Sequence, residues 1–501
     1  MIKSLSFYRE HRESKTKQMS AKTKHRVSYK TGDVILRSEP FAHAVNEDLL
    51  QEVCSWCLRK EGHQKDNGER VISLKKCKGC KMLVYCSTEC QREDWVKGFH
   101  KKECKLMARV LVAPPTLIRL AARAIFKVRA GCGDTEEDLP NGQNKSYNDL
   151  NDSIENHRSI TQLSSTVKGK KVLIKLTVKL VLEYMREKPS EELKKLCTSV
   201  LCKEHTEITD GLPAGIFENM GIGLGAGFYI GTSIINHSCW PNAVAIFKGK
   251  ARVIRAIDNI KSFNEVRISY VDVDLPLSVR KEELWKDWKI DCKCDECNMV
   301  NPGAEERQKL KSPPFRCLKC KRNGRGTIGC WACKALGIPS QETLERQPPL
   351  IQKKLKAEID KILDLALPKG KNASSHANDL PDGIELWSPY ILEQFRHALV
   401  NAASDYYGVP SRQARNMAAR VHRLKWGRPT MLFPKYDPRY ALLCLQIQRA
   451  EAHLGKQEYA IELWKIAFEI FEVSHGKDHP LLFKISKEES HEDGLKIGEN
   501  D

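Results

Sequence analysis

Cysteines and histidines at short, repeated spacings are the residues of this 501-residue chain with the clearest capacity for chemistry. The chain holds 19 cysteines. Cys54-x2-Cys57, Cys77-x2-Cys80, Cys86-x3-Cys90 and His100-x3-Cys104 follow one another. Further on come Cys292-x-Cys294-x2-Cys297, then Cys317-x2-Cys320 and Cys330-x2-Cys333. Zn²⁺ takes four N/S ligands in a tetrahedron, and thiolates two residues apart can chelate one ion. The first eight ligands suffice for two ions. His100 and Cys104, at i and i+4, share one helix face and can bind one ion. Four filled positions leave no open site for hydrolysis, so zinc here is structural. The pairs at 317–333 suit a further zinc; the other reading is four free surface thiols. Cys132, Cys197, Cys202 and Cys444 carry no metal pattern, and Cys444 reads as a small core residue. Disulfides explain the pairs less well. Residues 1–26 are polar and basic without the apolar core of a secretory signal, and thiols persist in a reducing compartment.

A second set of residues is polar and aromatic. Residues 227–239 read GFYIGTSIINHSC, and Glu265-Val266-Arg267-Ile268-Ser269-Tyr270 follows. Taken singly, Asn236-His237 reads as a turn with a hydrogen-bonded core histidine, and Tyr270 as a buried strand tyrosine. Only their combination points further.

The elements that must position these groups can be read from periodicity. Residues 27–41 read as strand, turn and strand around Thr31-Gly32-Asp33. Cys90, Asp94, Trp95, His100 and Cys104 sit on a helix-compatible stretch. Residues 105–129 are helical around a Pro114-Pro115 break, and 131–170 are mainly loop. Residues 171–186 place Val172, Leu176, Leu180 and Val181 at helical spacing. Residues 214–272 read as strands and turns, with a Lys248-Gly249-Lys250 turn joining two strands. Residues 367–385 read as a mobile loop. From 386 on the pattern is helical, and 457–475 set Ile461, Trp464, Ala467 and Phe471 on one stripe.

Composition narrows the function. With 41% apolar and 29% charged residues the chain is globular, which excludes wholesale disorder. The sequence has no run of 18 apolar residues, so no membrane span is expected. Lysine and arginine exceed acids by 83 − 64 = 19, a balance that suits nucleic acid, acidic tails or a solvated basic surface. The run Lys15, Lys17, Lys22, Lys24 and Arg26 reads either as a nuclear localisation signal or as a disordered tail. The expected compartments are nucleus and cytoplasm.

The stretch Tyr85-Cys86-Ser87-x-x-Cys90-Gln91-x-x-Asp94-Trp95 resembles the MYND zinc finger, a module that binds proline-rich peptides. By that resemblance the pairing is interleaved: Cys54, Cys57, Cys86 and Cys90 take one zinc, and Cys77, Cys80, His100 and Cys104 the other. Segment 58–76 is long for that family and is expected as an exposed loop. Asn236-His237-Ser238-Cys239 followed by Tyr270 and the 292–297 cysteines resembles the SET domain of protein lysine methyltransferases. A MYND finger ahead of it is similar to the SET-and-MYND (SMYD) family, over roughly residues 27–475. The resemblance implies S-adenosylmethionine as cofactor, held by Asn236 and by the main chain of His237. Tyr270, at both the cofactor and the lysine channel, aims its hydroxyl at the reacting centre, and Tyr229 is a second channel wall. Glu265 supports the local fold. Cys239 completes a zinc site with Cys292, Cys294 and Cys297. The implied partners are a protein with an accessible lysine and proline-rich peptides. The charge is spread along the chain and the finger has no base-reading helix, which argues against specific nucleic-acid binding.

The expected fold is α+β: a SET β-fold split by the finger and a helical insert, a post-SET zinc segment, and an α-helical, tetratricopeptide-like C-terminal domain. Its parts are a basic tail (1–26), the first SET piece (27–53), the finger (54–104), the helical insert (105–213), the SET core (214–280), the cysteine segment (281–335) and the helical domain (336–501). The chain departs from the family pattern at three places that concern the cofactor. Residues 22–29 lack the Gly-x-Gly turn. Ile290 stands where an aromatic is usual, with Trp288 near it. Tyr147-Asn148-Asp149-Leu150 matches the cofactor-contacting stretch loosely, and Ser153 replaces an asparagine. A methyltransferase and a SET–MYND scaffold without catalysis are therefore both open at this point.

Overall fold

The computed structural model describes residues 28–61, 72–149, 168–202, 206–209, 223–308 except 274, 276, 289, 306 and 307, then 314–316, 323–325, 433–453, 457–482, 485 and 486. The chain divides into two units. The first comprises residues 1–236, 242–268 and 478–484, and the second 237–241, 269–477 and 485–501.

Two three-stranded antiparallel sheets frame the first unit. In one, Ala251–Ala256 lies between Val34–Ser38 and Ala243–Lys248. Lys248 pairs with Ala251, so Gly249 and Lys250 form the expected two-residue turn, with Gly249 at φ +60. A two-residue hairpin needs φ > 0 there, and glycine takes it without strain. The earlier turn holds as well: Gly32 has φ +89, and Tyr29 bridges Ile260. In the second sheet Gly223–Phe228 lies between Ala42–Val45 and Thr206–Thr209. Gly225 is required by packing, because a Cβ there would stand 2.3 Å from the Ala44 carbonyl oxygen.

Helices α1 (Thr88–Val96) and α2 (His100–Met107) carry the finger's last four ligands. The stretch read as one helix is two, broken at Gly98 and at Phe99, whose φ is +61. A side chain at 98 would collide with the Asp94 carboxylate. Helix α3 (Thr116–Arg129) begins directly after Pro114-Pro115, as expected, since proline suits the edge of a helix and not its interior. Its Leu120, Ala121, Ala124 and Ile125 pack against α4 (Lys168–Met185) and α5 (Glu191–Cys202). The buried side of α4 is Val178, Val181, Leu182 and Met185; Leu176 and Leu180 of the expected stripe face solvent. Within 131–170 the described residues are not all loop: Glu136–Asp138 pairs with Asn144–Ser146. Tyr147 then stacks on Phe41 at 4.1 Å and meets Phe228 edge-on at 6.1 Å. At the ends of segment 58–76 Leu58 and Ile72 are buried and Lys75–Lys76 pairs with Val84–Tyr85, while Arg59, Glu61, Ser73, Lys75 and Lys76 are exposed; 62–71 lie outside the described residues.

The second unit holds α6 (Leu277–Glu283), which runs into a π-helical turn at Leu284–Trp288, then the cysteine segment and the strand pair Pro314–Arg316 and Asn323–Arg325. It ends in a helical hairpin, α7 (Pro438–His453) and α8 (Gln457–His475). The buried face of α8 is Ala460, Leu463, Ala467, Ile470, Phe471 and Ser474, whereas Ile461 is exposed. Apolar residues cover more than half of this helix's turns, so composition does not choose which stripe is inside. Cys444 is buried, as read. The tail 1–26, the loop 367–385, Ser153 and the cysteines Cys317, Cys320, Cys330 and Cys333 lie outside the described residues. No helix of the described residues is long and apolar enough to cross a membrane.

Candidate zinc centres and cofactor site

Twelve of the proposed ligands gather into three quartets: Cys54, Cys57, Cys86 and Cys90; Cys77, Cys80, His100 and Cys104; and Cys239, Cys292, Cys294 and Cys297. In each, the ligand atoms lie within 4.8 Å of one another. The two finger quartets interleave along the chain. Measured edges are Cys57–Cys86 3.5 Å, Cys86–Cys90 3.5 Å, Cys77–Cys104 3.8 Å and Cys239–Cys297 3.5 Å. A tetrahedron with Zn–S near 2.3 Å has S···S edges of about 3.8 Å. The donor sets therefore fit zinc by number, element and spacing. Burial and the neighbouring thiols also oppose four coexisting protons or four bare charges, which a dication resolves.

The local backbone explains the placement. Leu58 donates to the Cys54 carbonyl, Lys81 to that of Cys77 and Asn298 to that of Cys294. Leu58, Lys81 and Met299 then take positive φ, which curls each knuckle around its thiols. Gly79 lets the second knuckle approach Cys104, since a Cβ would stand 2.7 Å from its sulfur. The Ser87 hydroxyl accepts from the Cys90 amide and caps α1, setting Cys90 one turn in.

Behind the second quartet lies a buried charge network. His100 turns Nε2 toward Cys80 and Nδ1 toward Glu103, 3.3 Å away. Glu103 accepts from Arg119 Nε at 3.0 Å and from Arg123 at 2.9 and 2.6 Å. Arg123 also donates to both oxygens of Asp94, at 2.8 and 3.2 Å. The Tyr85 hydroxyl donates to Asp94 as well, at 2.8 Å. Burial opposes the Glu103 charge, yet Arg123 and Arg119 hold its carboxyl well below the usual range. The same arginines donate to the carbonyls of His43 and Val45. This network fixes the candidate zinc ligand His100 from behind and bolts the finger to α3 and to strand Ala42–Val45. Sequence reading missed it. Its signals were an acid three residues after His100 and two arginines four apart within the otherwise apolar run 117–126.

At the NHSC motif, His237 is a bridge. Its Nδ1 accepts the Tyr270 main-chain N–H at 3.0 Å, so Nδ1 carries no proton. Its Nε2 stands 3.2 Å from the Cys239 sulfur. An N–H there would donate to the Cys239 thiolate were the quartet to hold zinc, the usual support for such a ligand. Tyr270 lies 5.3 Å from the His237 ring and 5.5 Å from Trp288, centroid to centroid. Trp288 and Ile290 pack in one cluster with Tyr270 and the four cysteines. An aromatic thus stands beside Tyr270 although position 290 is isoleucine. Aromatic faces favour a sulfonium cation, so this wall suits S-adenosylmethionine. Asn236 is exposed and precedes His237 directly.

Two further expected residues, Tyr229 and Glu265, belong to the first unit. Tyr229 is buried against Phe247, and its hydroxyl donates to the Lys250 carbonyl at 2.7 Å. Glu265 sits in a short turn whose carbonyl accepts from Asn242. Lys250 in turn lies 3.2 Å over the ring of Trp56 in the first knuckle.

The sequence matches two families: the MYND finger over residues 54–104 and the SET domain over 88–271. It is 24% identical to the human histone-lysine N-methyltransferase SMYD3 over 90% of both chains. It is 25% identical to the human N-lysine methyltransferase SMYD2, covering 92% of this chain and 94% of that one. A similar match is the Arabidopsis thaliana histone-lysine N-methyltransferase ASHR1, at 25% identity over 91% and 90%. The chain is similar to SMYD methyltransferases over about nine-tenths of its length and carries a MYND and a SET segment. The SET match ends one residue past Tyr270. The cofactors of this chain are zinc and S-adenosylmethionine.

Proposed function

We propose that this protein transfers a methyl group from S-adenosylmethionine to the ε-amine of a lysine in another protein, histone or not. The observation that carries the reading is the His237 bridge, which ties Tyr270 to the zinc ligand Cys239.

S-Adenosylmethionine supplies an electrophilic methyl on a cationic sulfur. The chain's residues must then present a neutral amine in line with the S–CH₃ bond and keep water out. Desolvation by Tyr270 and Trp288 disfavours the ammonium form of the incoming lysine, whose proton leaves to solvent. The amine nitrogen gains the C–N bond as the C–S bond breaks. Tyr270 orients the amine and supports the changing charge; it is not a nucleophile. Asn236 and the main chain of His237 hold the cofactor. Zinc does no chemistry: it anchors Cys239, and through His237 the backbone of Tyr270.

The MYND finger takes protein partners, with proline-rich segments as the fitting class. The SET pieces are 27–53 and 214–280, with the post-SET segment following. The α7–α8 hairpin supports a helical, tetratricopeptide-like end. A reducing compartment, nucleus or cytoplasm, suits three thiol-rich centres.

Calorimetric titration of S-adenosylmethionine into the zinc-loaded chain tests the reading. One-to-one saturable binding followed by tritiated-methyl transfer to protein lysine is expected. A cooperatively folded, zinc-replete chain that binds no cofactor would leave a scaffold instead.

A further inference from the structure

Tyr270 is fixed from one side by His237, and the backbone just after it is fixed from far along the chain. The Val271 carbonyl accepts two hydrogen bonds, from Ser269 Oγ at 2.6 Å and from Arg439 at 3.1 Å. Arg439 stands in the first turn of α7, 168 residues away in sequence. Its guanidinium is itself clamped. Nε donates to Asp437 Oδ1 at 2.8 Å, and a terminal nitrogen donates to Oδ2. Asp437 is fully buried and also accepts the Arg439 main-chain N–H at 2.9 Å, so it caps α7. Pro438 between them needs no donor at the first helical position. The Asp272 carboxylate lies 4.0 Å from the same guanidinium.

This arrangement is more specific than an ordinary ion pair. A bidentate Arg–carboxylate pair leaves the remaining N–H groups in a fixed plane, aimed where the fork dictates. Here one remaining donor meets a carbonyl one residue past Tyr270. The Val271 side chain is buried among Cys239, Cys292 and Cys297. The backbone leaving Tyr270 is therefore held by a side chain in the zinc cluster and by a hydrogen bond from α7. The Tyr270 amide is held by His237. With both ends of the residue fixed, its ring stays against Trp288.

We infer that Arg439, oriented by Asp437, is a positioning residue for Tyr270. It carries the C-terminal helices' contribution to methyl transfer by holding the Val271 carbonyl. The inference rests on the methyltransferase reading above and adds to it a residue outside the matched SET and MYND segments.

The test uses the full zinc-loaded chain as wild type, Arg439→Ala, Arg439→Lys, Tyr270→Phe and the Arg439→Ala/Tyr270→Phe double variant. Methyl transfer from tritiated S-adenosylmethionine to a lysine-peptide array is measured beside amide hydrogen exchange over 269–272. Arg439→Ala should lower kcat by about 10-fold or more, as a small misplacement of an orienting group does, with the cofactor KM unchanged. Exchange over 269–272 should quicken, and Arg439→Lys should recover part of both because it keeps one donor. In the Tyr270→Phe background the Arg439→Ala change should cost little further, since both act through one residue. Full additivity of the two substitutions, or an Arg439→Ala variant equal to wild type in transfer and exchange, overturns the inference while leaving the methyltransferase reading intact. Wild-type protein that binds no cofactor and methylates no peptide overturns that reading, and this inference falls with it.

Discussion

The main-chain N–H of Tyr270 reaches Nδ1 of His237 across 3.0 Å, while the other ring nitrogen of His237 faces the sulfur of Cys239 at 3.2 Å. One imidazole thus joins a candidate zinc quartet to the tyrosine one residue before the end of the SET match. Tyr270→Phe keeps the ring, its contact with Trp288 and its backbone bond, and removes only the hydroxyl. Methyl transfer should fall by about 10²-fold, the scale seen when one oriented donor is removed. The thermal midpoint should stay within about 1 °C, a shift worth about 1 kcal/mol in a chain of this size. A variant with unchanged transfer would remove Tyr270 from the site.

Zinc should be countable. Denatured protein is expected to release four ions per chain, read with a metallochromic indicator. Three correspond to the quartets described, and the fourth to Cys317, Cys320, Cys330 and Cys333. Cys239→Ser should lower the count by one and also weaken cofactor binding, because His237 loses its thiolate partner. Release of only three ions would leave the 317–333 cysteines free, and two would dissolve the Cys239 centre.

Glu103→Gln isolates the support of the second finger zinc. The amide keeps the shape but loses the charge that both Arg119 and Arg123 pair with. Zinc affinity at the site holding His100 should drop by about 10–100-fold, the usual effect of losing a ligand's outer partner. Chelator competition measures it. An unchanged affinity would mean that His100 is held by packing alone.

Arg123→Met leaves Asp94 facing only Tyr85 and leaves Glu103 facing Arg119 and His100. Breaking a buried pair by removing one partner costs about 3–5 kcal/mol. Denaturant unfolding should show that loss, with the finger becoming sensitive to protease. A loss under 1 kcal/mol would mean the network relaxes or takes up water.

Lys127 gives a pH signature. Burial, with Lys250 and Arg123 also near, lowers it to about 8, and its ammonium meets the Phe41 carbonyl. The unfolded chain keeps this lysine near 10.4. Between those values the unfolded state binds more protons, so stability contributed by this group rises with pH through the window. Lys127→Met should abolish that rise. Thermal midpoints of wild type and variant from pH 7.5 to 10 give the comparison, and parallel curves would count against it.

Much of the site could be read from the residues. Zinc ligands are chemically specific and locally spaced, so Cys-x2-Cys knuckles declare themselves without any fold. The Lys248–Lys250 and Thr31–Asp33 turns were legible for the same reason, since glycine at positive φ is a local requirement. Faces were less legible. On α4 and α8 the buried stripe is decided by what packs against it, and Leu176, Leu180 and Ile461 lie outside it. The break at Gly98 exists because Asp94 must turn in to meet Arg123, a contact 29 residues away.

By itself the sequence determined the ligand types, their order and the family resemblance, because each rests on residues near one another in the chain. Tertiary structure alone decided the rest. It aimed both nitrogens of His237, stood Trp288 beside Tyr270, buried two arginines with two carboxylates, and carried Arg439 to the Val271 carbonyl. Those are hydrogen bonds and contacts between residues distant in sequence, and no local propensity encodes them.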